Sequence, residues 1–569
     1  MIRHPVSIYI NWAAYDELSD NVELTEELAM RQLEELLRLR RLGVRFDYYL
    51  MDAFWYARDG GYRTWRKPHW PNGPDAWLER CLSNGVLPGL WVSGNTTHSH
   101  DPVPAWRDSL DAGGWGCCMF SGGFLNHFLE SLRLWYARGV RLFKFDFMHF
   151  GAATPALERS MLPSEIRAHN MAALIAGLKQ LRADCPDLML LGYNGFEEPI
   201  KIGESYYPPQ SNTSLPIRKV LDTKWLEVFD AMYCGDPRPA DVPAARFWRA
   251  KDVYSDHMVR VYELNGYPLA RIDNSGFMIG TTGTCYYRKT AAWKGMLLLS
   301  LARGGWANTY YGNLDLLSGA DAVWFAKAQS LFLPLQAFGQ SMTFGALPGT
   351  AQPYGFLNLG RNRALITVVN PAQAVLEVEL PALPPEIGNE RRILFCDAGF
   401  VPSLDRRHVR LGPEQMAVIG AGAYAAPEHE LGTQEDVVIP SDIRRVQADF
   451  VQAGDRAITT TLQAPERAGL RIVFRQTDAR GIAKRTTGGS PPNGISLGKL
   501  LTVSAHQAGR EIALDIEYDK AIWSGLSWAV AEAPANRLQA GAPMTIHCET
   551  KEGDAVTLTG DVFAVRYDS

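Results

Sequence analysis

The chain has 569 residues, more than one core accommodates, so two to four domains are expected. Apolar residues make up 46% and charged residues 21%, the balance of a soluble globular protein. A formal net charge of -5, with basic residues scattered rather than striped, gives no electrostatic case for nucleic acid or an acidic membrane surface.

The first 330 residues or so alternate short apolar runs with amphipathic helical stretches, which predicts parallel strands joined by crossover helices. Met1 leads within a few residues into strand one, Val6–Ile10, with no apolar leader, so a cytoplasmic protein is expected, or a secreted one if a leader has been removed. Strand one ends at Asn11-Trp12. Its helix, near Thr25–Arg41, carries Met30, Leu33, Leu36 and Leu37 at helical spacing and stops at Gly43. Strand two, Phe46–Leu50, ends at Met51-Asp52. A loop from Trp55 to Gly73, rich in Trp, Gly and Pro, is too long to be a mere connection. After a helix near Ala76–Asn84, strand three, Leu87–Val92, ends at Trp91-Val92-Ser93. The next loop holds His98 and His100 beside Asp101, which read as solvated histidines rather than metal ligands.

A helix near Phe124–Arg138 precedes strand four, whose apolar run Val140–Phe145 carries Lys144 and is followed by Asp146. Then come a helix near Ser164–Ala183, strand five at Leu188–Gly192 ending in Tyr193-Asn194-Gly195, and strand six at Val228–Tyr233 ending in Cys234-Gly235-Asp236. A helix near Ala244–Leu264, strand seven at Leu269–Ile272 ending in Asp273-Asn274-Ser275, and a helix near Thr290–Ala302 follow. Strand eight, Trp306–Tyr311, and a last helix, Gly319–Leu333, close the set as a (β/α)₈ TIM barrel over residues 1–337. Its C-terminal face gathers Asp52, Trp91, Lys144, Asp146, Asn194, Asp236, Asp273 and Asn313, and that fold places its active site there.

Short runs split by Gly, Pro and Asn predict an all-β domain over 338–424, a linker over 425–437, and a second β-sandwich-like domain over 438–569, open to a carbohydrate-binding role. The eight cysteines show no CxxC and no disulfide-dense spacing, which argues against a structural zinc site and for a reducing compartment; vicinal Cys117 and Cys118 read as free thiols. No run approaches the roughly 18 apolar residues that span a bilayer.

Lys144 and Asp146 lie two residues apart, so on a strand both point to one face. That pattern suits a nucleophile with a substrate-holding cation beside it, and it equally suits a buried ion pair filling a barrel. Two carboxylates on different strands, such as Asp146 and Asp236, could divide nucleophile and acid roles in a retaining glycosidase. Asp236 alone also fits a turn aspartate before Pro237. There is no P-loop or dinucleotide fingerprint to support phosphate- or hydride-transfer chemistry.

Several segments resemble the retaining α-glycosidase clan that contains the α-galactosidases of glycoside hydrolase families 27 and 36. Asn11-Trp12 resembles the clan's Trp-Asn-Ser-Trp opening, and Asp52-Ala53-Phe54-Trp55 its Asp-Asp-Gly-Trp. Gly89-Leu90-Trp91-Val92 resembles Gly-Leu-Trp-Val, and Lys144-Phe145-Asp146 resembles Lys-Trp-Asp. Gly235-Asp236, Asp241 and Arg246 resemble Ser-Asp-x-x-Asp…Arg, and Tyr267-Pro268 the following Tyr-Pro. The resemblance implies Asp146 as nucleophile and Asp236 as acid/base, with Asp273 the other candidate acid. It implies sugar binding by Asp52, Lys144, Arg246 and Asn194, with Trp12, Trp55 and Trp91 walling the pocket. The chain departs from the clan at Ala53, where the second aspartate of a sugar-gripping pair stands, and at Met148, where an asparagine stands. A retaining exo-α-glycosidase acting on an oligosaccharide or glycoconjugate is expected, with no metal or organic cofactor, no membrane partner, and a state compatible with homo-oligomers. A glycosyl-transferring relative and a catalytically silent glycan-binding protein are the alternatives.

Overall fold

The computed structural model describes residues 3–12, 24–53, 55–97, 103–196, 221–235, 240, 242–281, 289–486, 497–518, 526–551 and 555–567. The barrel strands are β1 (Val6–Ile10), β2 (Tyr48–Met51), β3 (Leu87–Val92), β4 (Leu142–Phe145), β5 (Met189–Gly192), β6 (Ala231–Tyr233), β7 (Ile272–Asp273), β8 (Phe277–Ile279) and β9 (Ala307–Gly312). They pair in parallel from β1 to β7, then to β9, and β9 closes the ring on β1. Positions alternate between interior and helix layer: Phe145 meets Phe128 of the surrounding layer at 5.6 Å, while Lys144, one residue earlier, faces inward.

The described α-helices of the barrel are α1 (Glu26–Arg41), α2 (Asp75–Ser83), α3 (Phe124–Ala137), α4 (Pro155–Glu158), α5 (Pro163–Asp184), α6 (Phe247–Leu264), α7 (Trp293–Ala302) and α8 (Gly319–Phe338). Capping explains the start of α1: Thr25 Oγ1 accepts from Leu28 N at 3.2 Å, Glu26 and Glu27 occupy the first turn, and Arg38, Arg40 and Arg41 the last. Between β5 and β6 the described residues hold a 3-10 turn, Thr223–Glu227, and no α-helix. No described helix is long and apolar enough to cross a membrane.

Strand seven departs from the sequence reading. It comes in two pieces, β7 and β8, both paired to β9. Asp273 is therefore in the middle of an interrupted strand rather than at its end. The polar Asn274-Ser275-Gly276 hides the continuation: Asn274 Nδ2 donates to Gly305 O at 2.9 Å, and only three apolar residues follow.

The middle domain is a six-stranded sheet, in the order Gln340–Gly345, Tyr354–Leu359, Arg363–Val369, Met416–Gly422, Arg391–Ala398, Gly432–Val438, with a smaller three-stranded sheet beside it. The expected linker at 425–437 is thus corrected. Gly432–Val438 is an edge strand, parallel to Arg391–Ala398, and the polar look of the segment reflects that exposed edge. Residues 442–566 form two five-stranded antiparallel sheets packed around Leu470, Ile472, Phe474, Ala531 and Ile546, a β-sandwich.

Candidate active site

β4 ends where Asp146 N donates to Val92 O at 2.9 Å, one further rung on β3. Phe147 then takes a left-handed conformation, φ 50°, which swings the chain off the sheet and lays its own N–H on Asp146 Oδ1 at 2.9 Å. Asn194, at the end of β5, adds two more donors to Oδ1, from Nδ2 at 2.8 Å and from N at 3.2 Å. Trp91 Nε1 donates to Oδ2 at 3.1 Å. The carboxylate is buried and fixed from three strands, with three donors on one oxygen and one on the other.

Gly195 makes this possible. At φ +97° a side chain there would place its Cβ 2.1 Å from Met148 O. Without one, Met148 N reaches Asn194 O at 2.9 Å, and Asn194 is held against Asp146.

Lys144 does not pair with Asp146. Its Nζ meets Asp52 Oδ2 at 2.8 Å, both side chains buried, and lies 4.2 Å from the centroid of the Tyr193 ring. Asp52 is oriented by Asn11 Oδ1, which accepts its N–H at 2.8 Å, and by the Ala53 N–H on its own Oδ1 at 2.8 Å. Burial pushes the Asp52 carboxyl upward, and the Lys144 ammonium works against that shift. The Tyr193 hydroxyl in turn donates to Asp273 Oδ2 and sits 2.8 Å from the Tyr311 hydroxyl. Thr309 Oγ1 donates to Asp273 Oδ1 at 2.7 Å. Burial raises Asp273 to about 6, with the bonds from Tyr193 and Thr309 pulling the other way.

Asp52, Lys144, Asp146, Asn194 and Trp91 are therefore brought together. Trp91 serves as a donor to Asp146, with Tyr56 stacked at 6.0 Å and 5° on its ring. Trp55 is no pocket wall: it is fully buried among Tyr62, Trp65 and Trp135, and its Nε1 donates to Trp91 O at 2.8 Å. Trp12 is partly buried against the barrel core. Arg246 does not join the group; its guanidinium faces Glu517 at 3.7 Å and Glu532 at 3.5 Å in the sandwich, because the start of α6 packs there. Asp236 and Asp241 lie outside the described residues, as do His98, His100 and Asp101. Asn11, Tyr193, Thr309 and Tyr311 are members the sequence did not single out. Tyr193 and Tyr311 stood at strand ends, the same signal that marked Asn194.

No protein-family model and no curated protein matches the chain. Solved structures do. An α-galactosidase from Lactobacillus brevis aligns with a TM-score of 0.52 at 11% identity, covering 74% of this chain and 55% of its own. The GH36 α-galactosidase AgaA from Geobacillus stearothermophilus, in complex with raffinose, gives 0.51 at 12%, covering 74% and 56%. The galactosidase domain of the α-galactosidase-sucrose kinase AgaSK gives 0.50 at 13%, covering 74% and 55%. The chain spans little more than half the length of these proteins. With a closed eight-strand parallel barrel followed by antiparallel sheets, it has the fold of the family 36 α-galactosidases at very low sequence identity.

Proposed function

We propose that the chain is a retaining exo-α-glycoside hydrolase that releases galactose or a related sugar. The observation that carries this reading is the Asp146 carboxylate at the end of β4. Among the described residues, three N–H groups fill Oδ1 and Trp91 alone donates to Oδ2, which leaves Oδ2 a lone pair for attack. In the first step Oδ2 bonds to the anomeric carbon, the bond to the leaving oxygen breaks, and Asp236 gives that oxygen its proton. In the second, Asp236 as a carboxylate takes a proton from water, whose oxygen displaces Asp146 and frees the sugar. Asp273 fits the acid role poorly, since both its oxygens are engaged within the barrel. The Asp52–Lys144 pair offers sugar hydroxyls an acceptor and a donor side by side. Ala53 offers no acceptor beside them, which favours a sugar that asks for one contact fewer on that side.

The test is hydrolysis of a panel of nitrophenyl α-glycosides by wild type and Asp146→Ala. Loss of the nucleophile is expected to lower kcat by at least about 10³-fold, with partial rescue by azide giving the inverted glycosyl azide. Equal rates for the two proteins, or no α-glycoside cleaved by either, overturn the reading.

A further inference from the structure

We propose that Phe147 is a sugar-stacking residue of the site, its ring taking the C–H face of the sugar that Asp146 attacks. The proposal rests on the reading above, in which Asp146 is the nucleophile, and adds to it a contact that holds the sugar in place.

Position 147 is held left-handed by bonds on either side of it. Asp146 N donates to Val92 O at 2.9 Å, Met148 N to Asn194 O at 2.9 Å, and His149 N to Asn95 Oδ1 at 2.8 Å. Fully buried Asn95 also donates through Nδ2 to His149 O at 2.9 Å and to Cys117 O at 2.7 Å. The loop is thus gripped from the end of β3 on one side and of β5 on the other. Each grip passes a glycine: besides Gly195, a Cβ at Gly94 would lie 2.1 Å from Met148 Sδ. At 147, where φ is 50°, glycine would suit the backbone too, and a bulky side chain is strained there.

Burial does not offset that strain. Tyr62, the other aromatic residue of positive φ among the described ones, is fully buried, and its hydroxyl accepts the Ser93 N–H at 2.7 Å. Phe147 is instead 37% exposed. Its ring meets the Trp91 ring edge-on at 6.1 Å and 72°, and the same indole donates to Asp146 Oδ2, the oxygen assigned the attack. An exposed aromatic ring is therefore fixed beside the reacting oxygen on a strained backbone, and strain of this kind gathers where ligands are clamped. The ring supplies what the Asp52–Lys144 pair does not. The pair serves hydroxyls, whereas the ring offers an apolar surface to C–H groups, and a pyranose presents both.

The experiment measures nitrophenyl α-glycoside kinetics for wild type, Phe147→Ala and Phe147→Tyr, and calorimetric binding of free galactose, glucose, mannose and arabinose to the same proteins. Stacking predicts that Phe147→Ala raises KM about tenfold or more with kcat within about threefold of wild type, because a contact made equally in the ground and transition states moves KM alone. Phe147→Tyr keeps the ring and is expected to keep KM. Phe147→Ala should melt within about 3 °C of wild type, since the ring adds little to the core. Phe147→Gly should melt above Phe147→Ala, as the strain is released. A loss of kcat at unchanged KM, no kinetic change, a Phe147→Ala protein that melts far below wild type or does not fold, or a Phe147→Gly protein no more stable than Phe147→Ala overturns the proposal. If wild type cleaves no α-glycoside, the hydrolase reading falls and binding alone judges Phe147. A dissociation constant raised about tenfold in Phe147→Ala then upholds the stacking, and an unchanged one, or no sugar bound by wild type, refutes it.

Discussion

Asp52 and Asp146 share one local device: each accepts the N–H of the next residue on Oδ1, at 2.8 and 2.9 Å, leaving Oδ2 for a side chain. For Asp52 that side chain is Lys144, and for Asp146 it is Trp91. Replacing Lys144 by Met leaves a carboxylate buried without its counter-ion, so Lys144→Met should lower the unfolding free energy by about 3–5 kcal/mol in urea titrations. Adding Asp52→Asn should return at least half of that; a double variant as unstable as the single one refutes the pairing. Asp273 gives a pH signature. Its carboxyl sits at about 6 in the fold, against 3.8 for a free one, so the folded protein binds that proton more readily than the unfolded chain. Its contribution to stability therefore falls as pH rises from about 4 through 6. His257 slopes the other way: buried on α6 with Nδ1 2.5 Å from Pro348 O, it is lowered to about 4, so stability falls as pH drops from 6.5 to 4. Because the two oppose, the difference between variants is the informative quantity. Relative to wild type, Asp273→Asn should gain on the order of 3 kcal/mol between pH 4 and 7.5, and a constant difference would count against the assignment. At this scale the two-residue spacing of Lys144 and Asp146 was enough to put both on the interior face. The partner of Lys144 was not legible, because it depends on how β2 and β4 are staggered around the barrel.

Elements were legible where an apolar run met an abrupt polar stop. β1 and β3 fall on the residues the pattern picked, and α1 carries its cap and its charged ends in the sequence. Strand seven was not, since its polar interruption looks like a strand end and its second half has only three residues. In the loop after β2 the expectation that Trp55 walls a pocket fails for a different reason. Trp55, Tyr62 and Trp65 pack with Trp135 of α3 into a small core of their own. Composition does not distinguish a ring that faces a substrate from one that faces another ring. The tight approach of the β4 and β5 loops yields a sharper test. Gly195→Ala would force a Cβ against the Met148 carbonyl and strain a backbone at φ +97°. A loss of about 1–3 kcal/mol in stability is expected, together with at least about tenfold in kcat as Asn194 is moved from Asp146. Full activity in that variant would show that Asn194 does not need its present place.

For the whole molecule, Arg471 joins the middle domain to the sandwich through Gln373 and Glu414 on one side and Glu532 and Tyr567 on the other. Calorimetry should therefore show the barrel and the sandwich melting in one transition. Arg471→Met, which strands the buried Glu414 carboxylate, should split off the sandwich as an earlier transition; two transitions already in the wild type would show that the junction does not couple the domains. The fold class, a barrel followed by antiparallel sheets, was readable from the change in pattern near residue 338. How the domains hold together was not, because the contacts join residues far apart in the chain, such as Ala240 and Trp528. The passage between the last two domains has a consequence for reach. Ile439 N is still bonded to Ala398 O, and Ser441 N already to Arg566 O, so Pro440 alone crosses from one to the other. Proline fixes its own φ and allows little swing. A module that trawls a polymer for its enzyme needs slack, and one rigid residue supplies almost none. A ligand held on the sandwich would therefore sit at a set offset from Asp146, without the slack that a flexible tether gives.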